Sequence, residues 1–442
     1  MTLLDVSVTN VALPSISRAT EASAAQLQWI VSGYTLAFGL VPVLAGRLGD
    51  DHGRRRMFQV GVGTFAGTSL LAGLAPSAPV LIAARVLQGL AGGLINPQVS
   101  GLVQQLFGSE ERGRAFGVLG TTVGLGTALG PIAGGTLISV GGPHLGWRLV
   151  FFVNVPIGIA VIALARRLLP LDADRGRHRL DVAGAAVLGT ATFCVLFGAV
   201  EYEGDRDARL AWLAVPTVLL LVAFFRRERR LTVTERDPLV DLRLFRAPSY
   251  TSGVVFALAY FPAMAGLPLV LAIYYQDGLG YSALQSGLGI TAYALGSAIG
   301  APVAGRFVTR LGRPLLLVGL AAFAAGAIGL ALLAGHGAVA LAPALFVMGV
   351  GSGAIITPNQ ALTLMRVDPV AGSTAGGVLQ TAQRIGLAVG QAVIGATFFT
   401  ALGSGHYAHA LRFGVIAALV FLALAAVVSV ADLRAKREQQ PV

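Results

Sequence analysis

Long apolar stretches without charged residues alternate with short polar segments along the whole chain of 442 residues. A bilayer core of about 30 Å is crossed by roughly 20 apolar residues in a helix, so each such stretch predicts a membrane span. The stretches lie at residues 25–46, 57–80, 86–107, 115–140, 149–165, 182–200, 210–225, 250–275, 284–305, 314–335, 338–365, 371–401 and 413–431. Residues 1–17 add a short one. The pattern predicts an all-α membrane protein with fourteen spans.

The first span is the shortest. Residues 1–17 make about 25 Å of helix, contain Asp5 and have no basic residue before them. A signal peptide has a positive amino-terminal region and no acidic residue in its apolar part, so this segment does not resemble one. We expect that helix 1 is truncated at its cytoplasmic end.

The net charge of +11 would favour a nucleic-acid partner if the basic residues formed one patch. Most of the 32 lysines and arginines instead follow even-numbered spans, as in residues 47–56, 166–181 and 226–246. Since cytoplasmic loops carry an excess of basic residues, both termini are predicted in the cytoplasm, which requires an even number of spans. Glu201 to Arg209 should then face outward. The expected partner is the lipid bilayer, with no nucleic acid.

The residues that build metal or catalytic sites are scarce. The chain has one cysteine, Cys194, inside an apolar stretch, and its six histidines lie in predicted loops or at helix ends. We therefore predict no metal ligands, no catalytic residues and no cofactor. A membrane enzyme or a receptor stays a remote alternative, because the first needs clustered His or carboxylates and the second a soluble output domain.

The two ends of the chain repeat each other. Gly46 recurs as Gly305, Gly89 as Gly349, and the glycine pattern of residues 117–130 returns at 377–390. Transporters are often built from such repeated halves. Helices 1 to 6 thus correspond to helices 9 to 14. We predict domains at residues 1–168, 169–246 (inserted helices 7 and 8 with basic linkers) and 247–434, and a cytoplasmic tail at 435–442.

The halves differ at positions that carry charge or bend a helix. The differing pairs are Asp50 and Thr309, Arg85 and Leu345, and Pro131 and Gln391. Helix packing alone is satisfied by the shared glycines. We therefore expect ion coupling to reside mainly in the first half.

The loop after helix 2 combines glycines, an acid and arginines. Its glycines permit a tight reversal, and its carboxylate can accept from a helix N-terminus or pair with an arginine, which would hold one conformation. A basic loop with a simple turn is the alternative. The residues assigned to this conformational motif are Gly46, Gly49, Asp50, Gly53, Arg54 and Arg55.

Two charged side chains lie inside apolar spans. Asp5 in helix 1 is the acidic residue placed well within a span, and Arg85 interrupts helix 4. An ionised group in lipid is costly, so it faces a cavity or a partner. We predict that Asp5 takes up and releases a proton, and that Arg85 favours release if it faces the same cavity. Alternatively, Asp5 only holds helix 1 in place and Arg85 reaches the interface.

Helix 5 combines small residues with a proline. Small residues four positions apart let two helices touch, and proline removes a backbone hydrogen bond and bends the segment. Packing explains the glycines, although it does not explain why only this half has the proline. The motif comprises Gly126, Gly130, Pro131, Gly134 and Gly135.

Together these segments resemble the signature motifs of the major facilitator superfamily, and helix 5 resembles its antiporter motif. Residues 4–14 and 147–158 are similar to motifs of its fourteen-helix drug:proton antiporter branch. The resemblance implies two six-helix bundles with two inserted helices, and alternating access around a central cavity. It also implies proton-coupled efflux of small amphipathic drugs or metabolites across a bacterial inner membrane, by a monomer whose energy source is the proton gradient. The alternative is a dedicated exporter of one metabolite, siderophore or lipid.

Polar side chains within the spans are candidates for the cavity wall, and their aromatic and amide character suits amphipathic ligands. For each of them, a hydrogen bond between helices is an equal alternative. Arg384 in particular either binds an anionic group or pairs with a carbonyl. The absence of acids from the spans of helices 9 to 14 disfavours dications. The candidates are Asn10, Tyr34, Gln88, Asn96, Gln98, Tyr260, Tyr293, Asn359, Gln380 and Arg384, followed by Gln28, Gln360, Gln383 and Gln391.

Overall fold

A computed structural model describes residues 1–108, 110–171, 180–205, 212–234, 236–403 and 405–438. The architecture over these residues is helical. The helices are α1 (Thr2–Thr20), α2 (Ala24–Leu40), α3 (Pro42–His52), α4 (Arg54–Leu74), α5 (Ala78–Leu106), α6 (Arg112–Phe152), α7 (Asn154–Leu168), α8 (Val182–Asp205), α9 (Ala214–Val233), α10 (Pro248–Ile273), α11 (Ala283–Leu311), α12 (Pro314–Leu332), α13 (Ala338–Leu364), α14 (Gly372–Leu402) and α15 (Tyr407–Glu438). A turn of π-helix over Tyr274–Gly278 extends α10.

In the described part of the chain, fourteen helical segments follow one another where the sequence predicts fourteen spans. Among the same residues, nine helices are long and apolar enough to cross a membrane, and ten if α2 and α3, bent by 48°, form one span. Gly142, with φ of 67°, divides α6, so that Leu145–Leu168 is one of the nine. The remaining four segments are α1, the first part of α6, α8 and α9, which carry charges or are short in apolar length.

The duplication is visible in how the helices start and stop. Ser23 and Gln26 form a capping box at the start of α2, and Ser282 and Gln285 form the same box at the start of α11. In each box the serine side chain accepts from a backbone N–H and the glutamine reaches back, which satisfies donors that the helix leaves free. The same capping box at matching positions therefore begins the equivalent helices of the two halves.

Glycines at matching positions also bring equivalent helices together. A Cβ on Gly89 of α5 would lie 2.3 Å from the carbonyl oxygen of Tyr34 in α2. In the second half, a Cβ on Gly349 of α13 would lie 2.1 Å from the carbonyl oxygen of Tyr293 in α11. No larger residue fits either contact, because the neighbouring atoms are backbone.

The two inserted helices pack on each other and on the seam between the bundles. Leu196 of α8 contacts Leu36 of α2 and Ala388 of α14. At the other end of α8, Arg227 of α9 donates to Asp181 at 2.7 Å. This hydrogen bond, opposed by burial, holds the pKa of the Asp181 carboxyl below its usual range. The inserted pair is thus joined to both bundles through α8.

The basic segments meet on one face of the molecule, which we call the basic face. Arg55 after α3 donates to the carbonyl of Leu169 at the end of α7 at 2.9 Å, and Arg112 donates to Met365 after α13 at 3.3 Å. The ends of spans 2 and 6 therefore lie together, and so do the ends of spans 4 and 12. Of the predicted outward segment Glu201 to Arg209, residues 206–209 lie outside the described residues, as does most of the linker before α8.

Candidate functional site

A buried polar cluster surrounds Asp5, which is 2% exposed and has hydrogen-bond partners on α5 and α7. One carboxylate oxygen accepts from Arg85 of α5 at 2.5 Å, and the other accepts from Gln88 at 3.0 Å and from Asn154 of α7 at 2.7 Å. The structure therefore brings together Asp5 and Arg85, which the sequence predicts as a proton-coupling pair. Each acceptor oxygen of the carboxylate has a donor.

Arg85 is 1% exposed and its guanidinium stays inside the bundle, away from the interface. Besides Asp5 it binds the backbone carbonyl of Ile30 at 3.1 Å and the amide oxygen of Gln88 at 2.6 Å. Its Cζ lies 4.2 Å from the ring centroid of Tyr34, within range of a cation–π contact. Protonation of Asp5 would thus leave Arg85 held by neutral groups alone.

Sequence reasoning did not assign Asn154 or Ser69 to this cluster. Asn154 is 1% exposed, and Ser69 accepts from Gln88 at 2.6 Å. Asn154 does lie in the segment that resembles a branch motif, which is the signal that points to it. Ser69 has no comparable signal, because a serine in a helix usually bonds its own backbone.

The glycine–proline motif of predicted helix 5 lies in α6 and packs against α1, the helix that carries Asp5. A Cβ on Gly130 would lie 2.2 Å from the hydroxyl of Ser7, and one on Gly134 would lie 3.0 Å from Val8. Gly126 and Gly135 have no described atom within 4 Å of a Cβ. Pro131 lies within α6. Two of the four motif glycines therefore set the distance between α6 and α1.

Asp50 joins the two bundles at the basic face. Its carboxylate accepts from the backbone N–H groups of Ser373 at 3.1 Å and Thr374 at 2.8 Å, and from the Thr374 hydroxyl at 2.8 Å. These donors form the N-terminus of α14, where a helix dipole favours negative charge. Asp50 also accepts from Arg54 at 2.6 Å. It therefore caps a helix of the opposite half and pairs with an arginine at once.

Arg54 extends the same junction and is 1% exposed. It donates to the carbonyl of Gly101 in α5 at 2.8 Å and to the carbonyls of Pro369 and Val370 in the opposite half. Gly53, with φ of 98°, ends α3 in a conformation that favours glycine and directs the chain into α4. The two charged residues and the turn thus act on one interface.

Close backbone contacts complete the closure of the basic face. A Cβ on Gly46 would lie 2.3 Å from the carbonyl oxygen of Ser373, and one on Gly49 would overlap Gln98. On the other side of the interface, a Cβ on Gly113 of α6 would lie 2.8 Å from the carbonyl oxygen of Gly305 in α11. The bundles therefore touch at this face without space for larger side chains.

Between the bundles lies a cavity of about 230 Å³. Its wall combines apolar side chains with hydroxyl, amide and guanidinium groups, and Leu196 of the inserted α8 contributes to it. Arg384 of α14 is the charged member of the described wall. The lining residues are Thr2, Val6, Tyr34, Thr35, Leu36, Phe38, Leu196, Ala265, Arg384, Leu387, Ala388 and Gln391.

Of the ten principal cavity candidates, Tyr34 and Arg384 line this cavity. Gln88 belongs to the Asp5 cluster, Asn10 is exposed on α1 and Asn96 is half-buried in α5. The others join helices: Gln98 donates to Ala45, Asn359 to Gly253, Gln380 to Ser100, and Tyr260 and Tyr293 both to Ser352. In the apolar interior these groups satisfy each other through hydrogen bonds between helices, and their contact with a substrate stays a prediction.

A model of the Major Facilitator Superfamily matches residues 1–390 and, in a second match, residues 253–441. A probable actinorhodin transporter of Streptomyces coelicolor is 38% identical over 91% of this chain and 71% of its own length. The tetracenomycin C resistance and export protein of Streptomyces glaucescens is 34% identical over 91% and 74%. The puromycin resistance protein of Streptomyces alboniger is 36% identical over 89% and 78%.

Solved structures share the fold. The human organic anion transporter MFSD10 superposes with a TM-score of 0.68 at 16% identity, covering 96% of both chains. The proton:xylose symporter XylE superposes with a TM-score of 0.67 at 15% identity, covering 95% of this chain and 92% of its own. At these identities the likeness concerns the arrangement of helices alone.

Proposed function

Because the chain belongs to the Major Facilitator Superfamily, we propose that it exports small amphipathic molecules in exchange for protons, with Asp5 as the coupling carboxyl. The protein is a multi-pass membrane transporter, and its relatives carry names of antibiotic export and resistance. The observation that carries the proposal is the buried pair of Asp5 and Arg85 beside a cavity between two bundles. Both termini lie in the cytoplasm of a bacterial cell, and the transporter works as a monomer.

The coupling step follows from the donors around Asp5. As a carboxylate it balances the Arg85 guanidinium and accepts from Gln88 and Asn154. A proton that enters from outside neutralises the carboxyl, which weakens its bond to Arg85 because the attraction between two opposite charges is lost. Tyr34 touches Arg85 on one side and lines the cavity on the other. The Tyr34 side chain therefore connects a change in the contacts of Arg85 to a substrate in the cavity.

Alternating access requires that the basic face open and close. In the present state Asp50 and Arg54 hold it closed through bonds that cross between the halves. In the proposed cycle, breaking these bonds opens the cavity to the cytoplasm, where the proton leaves Asp5 and substrate enters. The inward proton flow then drives export, since a ligand or proton shifts an equilibrium only by its different affinity for the two states.

Asp5→Asn tests the coupling. The amide keeps the size of the side chain and cannot titrate, so we expect normal membrane levels, retained exchange of substrate without a gradient, and loss of proton-driven efflux. The assay is proton release in inverted vesicles on addition of ethidium, chloramphenicol or anthracene-9-carboxylate. Asp181→Asn, which changes a buried carboxylate away from the bundle interior, is the matched control. Uphill efflux by Asp5→Asn at the wild-type rate would exclude Asp5 as the coupling site.

The breadth of the panel separates general drug efflux from export of one metabolite. Three relatives are each named for one antibiotic, and a fourth, from Mycobacterium tuberculosis, is named a multidrug resistance protein at 31% identity. Response to chemically unrelated probes supports drug efflux. A response confined to one chemical class supports a dedicated exporter.

A further inference from the structure

Arg384 carries a positive charge on the wall of the central cavity, at mid-length of α14. The corresponding position of the first half is Gly124, which packs against α11. The arginine is therefore not inherited from the shared architecture of the two halves. A cation in this setting is costly unless something compensates for it.

The described residues supply little compensation. Arg384 makes no hydrogen bond or ion pair with another described residue, and its Cζ stacks over the Phe38 ring at 4.2 Å from the centroid. Arg85, by contrast, binds a carboxylate, an amide and a carbonyl. Arg85 is thus satisfied within the protein, whereas Arg384, on the described cavity wall, has donors that no described residue engages.

Asp5, the acidic residue of the neighbouring cluster, does not pair with Arg384. Both oxygens of Asp5 are engaged by donors of α5 and α7. The described cavity wall contains no aspartate or glutamate. The cavity therefore has a net positive charge while Asp5 is ionised and paired with Arg85.

We propose that Arg384 is the specificity-determining residue of the cavity and selects substrates that carry a single acidic group on an aromatic or apolar body. A planar guanidinium binds a carboxylate through two parallel hydrogen bonds, and a phenolate through one or two. Phe38 and Leu387 contact the apolar part, and the amide of Gln391, two turns further along α14, offers another donor. The inference rests on the proposed function and names the charge class of its substrate.

Charge balance links this selection to the proton. A bound anion neutralises Arg384 and places negative charge near Tyr34, which lies between Arg384 and the Asp5 cluster. Export of the anion in exchange for a proton then removes negative charge from the cell and brings positive charge in. Both movements follow an inside-negative membrane potential, so such a substrate is exported with the help of the potential as well as the pH difference.

Three probes with one aromatic body test the charge class: anthracene-9-carboxylate, anthracene-9-carboxamide and 9-(aminomethyl)anthracene. Binding to purified protein in detergent is followed by fluorescence, without any proton gradient. We expect the wild type to bind the carboxylate at least tenfold more tightly than the amide and the cation. Arg384→Gln should remove this preference while leaving amide binding within twofold, and Arg384→Lys should retain part of it. Arg384→Glu should transfer the preference to the cation.

The same measurements can refute the inference. A wild type that fails to bind the carboxylate, or binds it no better than the amide, excludes selection of anions. Equal weakening of carboxylate and amide binding in Arg384→Gln would show a structural role instead. Because binding needs no gradient, selection by Arg384 without proton-driven efflux would refute the proposed function and keep this inference. If proton-driven efflux occurs and substitution of Arg384 does not change its substrate preference, the proposed function is kept and this inference is refuted.

Discussion

Replacement of Asp50 by alanine should open the basic face. The carboxylate makes three hydrogen bonds across the interface, to the two N–H groups and the hydroxyl at the start of α14. Alanine removes all three and leaves Arg54, 1% exposed, without its carboxylate. Both changes destabilise the closed state, since the three bonds exist only while the two halves touch and an unpaired arginine is costly while it stays buried there.

The size of the effect follows from the bonds that are lost. A hydrogen bond to a charged group contributes about 1.5 to 3 kcal/mol, although water replaces part of this once the face opens. We expect a net loss of about 2 to 4 kcal/mol from the closed state. At about 1.4 kcal/mol for each factor of ten, the ratio of closed to open molecules falls by about 30-fold to several hundredfold.

The assay is a distance measurement between spin labels on the basic face. His52 and Arg366 are exposed on opposite halves and accept labels after substitution by cysteine in a Cys194→Ser background. Asp50→Ala should add a population with a longer distance and lower the efflux rate. Thr374→Val removes the hydroxyl bond but keeps the backbone bond, so its effect should be smaller.

Asp181→Asn is the control, because its carboxylate pairs with Arg227 within the inserted helices. It should leave the distance distribution unchanged. If Asp50→Ala gave the same distribution and efflux rate as the wild type, the contacts at α14 would not hold the basic face closed, and the conformational role of this motif would be refuted.

Two further predictions concern the glycine–proline motif in α6 and the topology. Gly130→Leu should reduce efflux at least tenfold with normal insertion, because its Cβ would meet Ser7 at 2.2 Å and displace α1. Gly126→Leu, with no described atom within 4 Å of the Cβ, should have a mild effect, and equal effects of the two variants would contradict this interpretation. Pro131→Ala should impair efflux as well. A cysteine in place of Asp205, at the end of α8, should react with an impermeant maleimide from outside the cell, and labelling from the cytoplasm alone would overturn the fourteen-span topology.

The apolar pattern was sufficient to predict the number and order of the helical segments, because a bilayer fixes the length of each span. It did not reveal which polar side chains meet. Asp5 and Asn154 are separated by most of the first half, and their contact depends on the rotation of α1 and α7. Tyr260 and Tyr293 illustrate the same limit. Both donate to the Ser352 hydroxyl, and the sequence does not distinguish a tyrosine that bonds a neighbouring helix from one that lines a cavity.

The repeat explains the fold, and its exceptions carry the asymmetry on which transport depends. Arg54 and Arg313 occupy matching positions, and both are nearly inaccessible to solvent. Arg313 pairs with Asp432 at 2.9 Å and binds Ser249 at 2.6 Å, both in its own half. Arg54 instead binds carbonyls of the opposite half, beside Asp50, which stands where the second half has a threonine. Matching arginines thus make contacts within a bundle in one half and between bundles in the other, and only the latter are broken when the basic face opens.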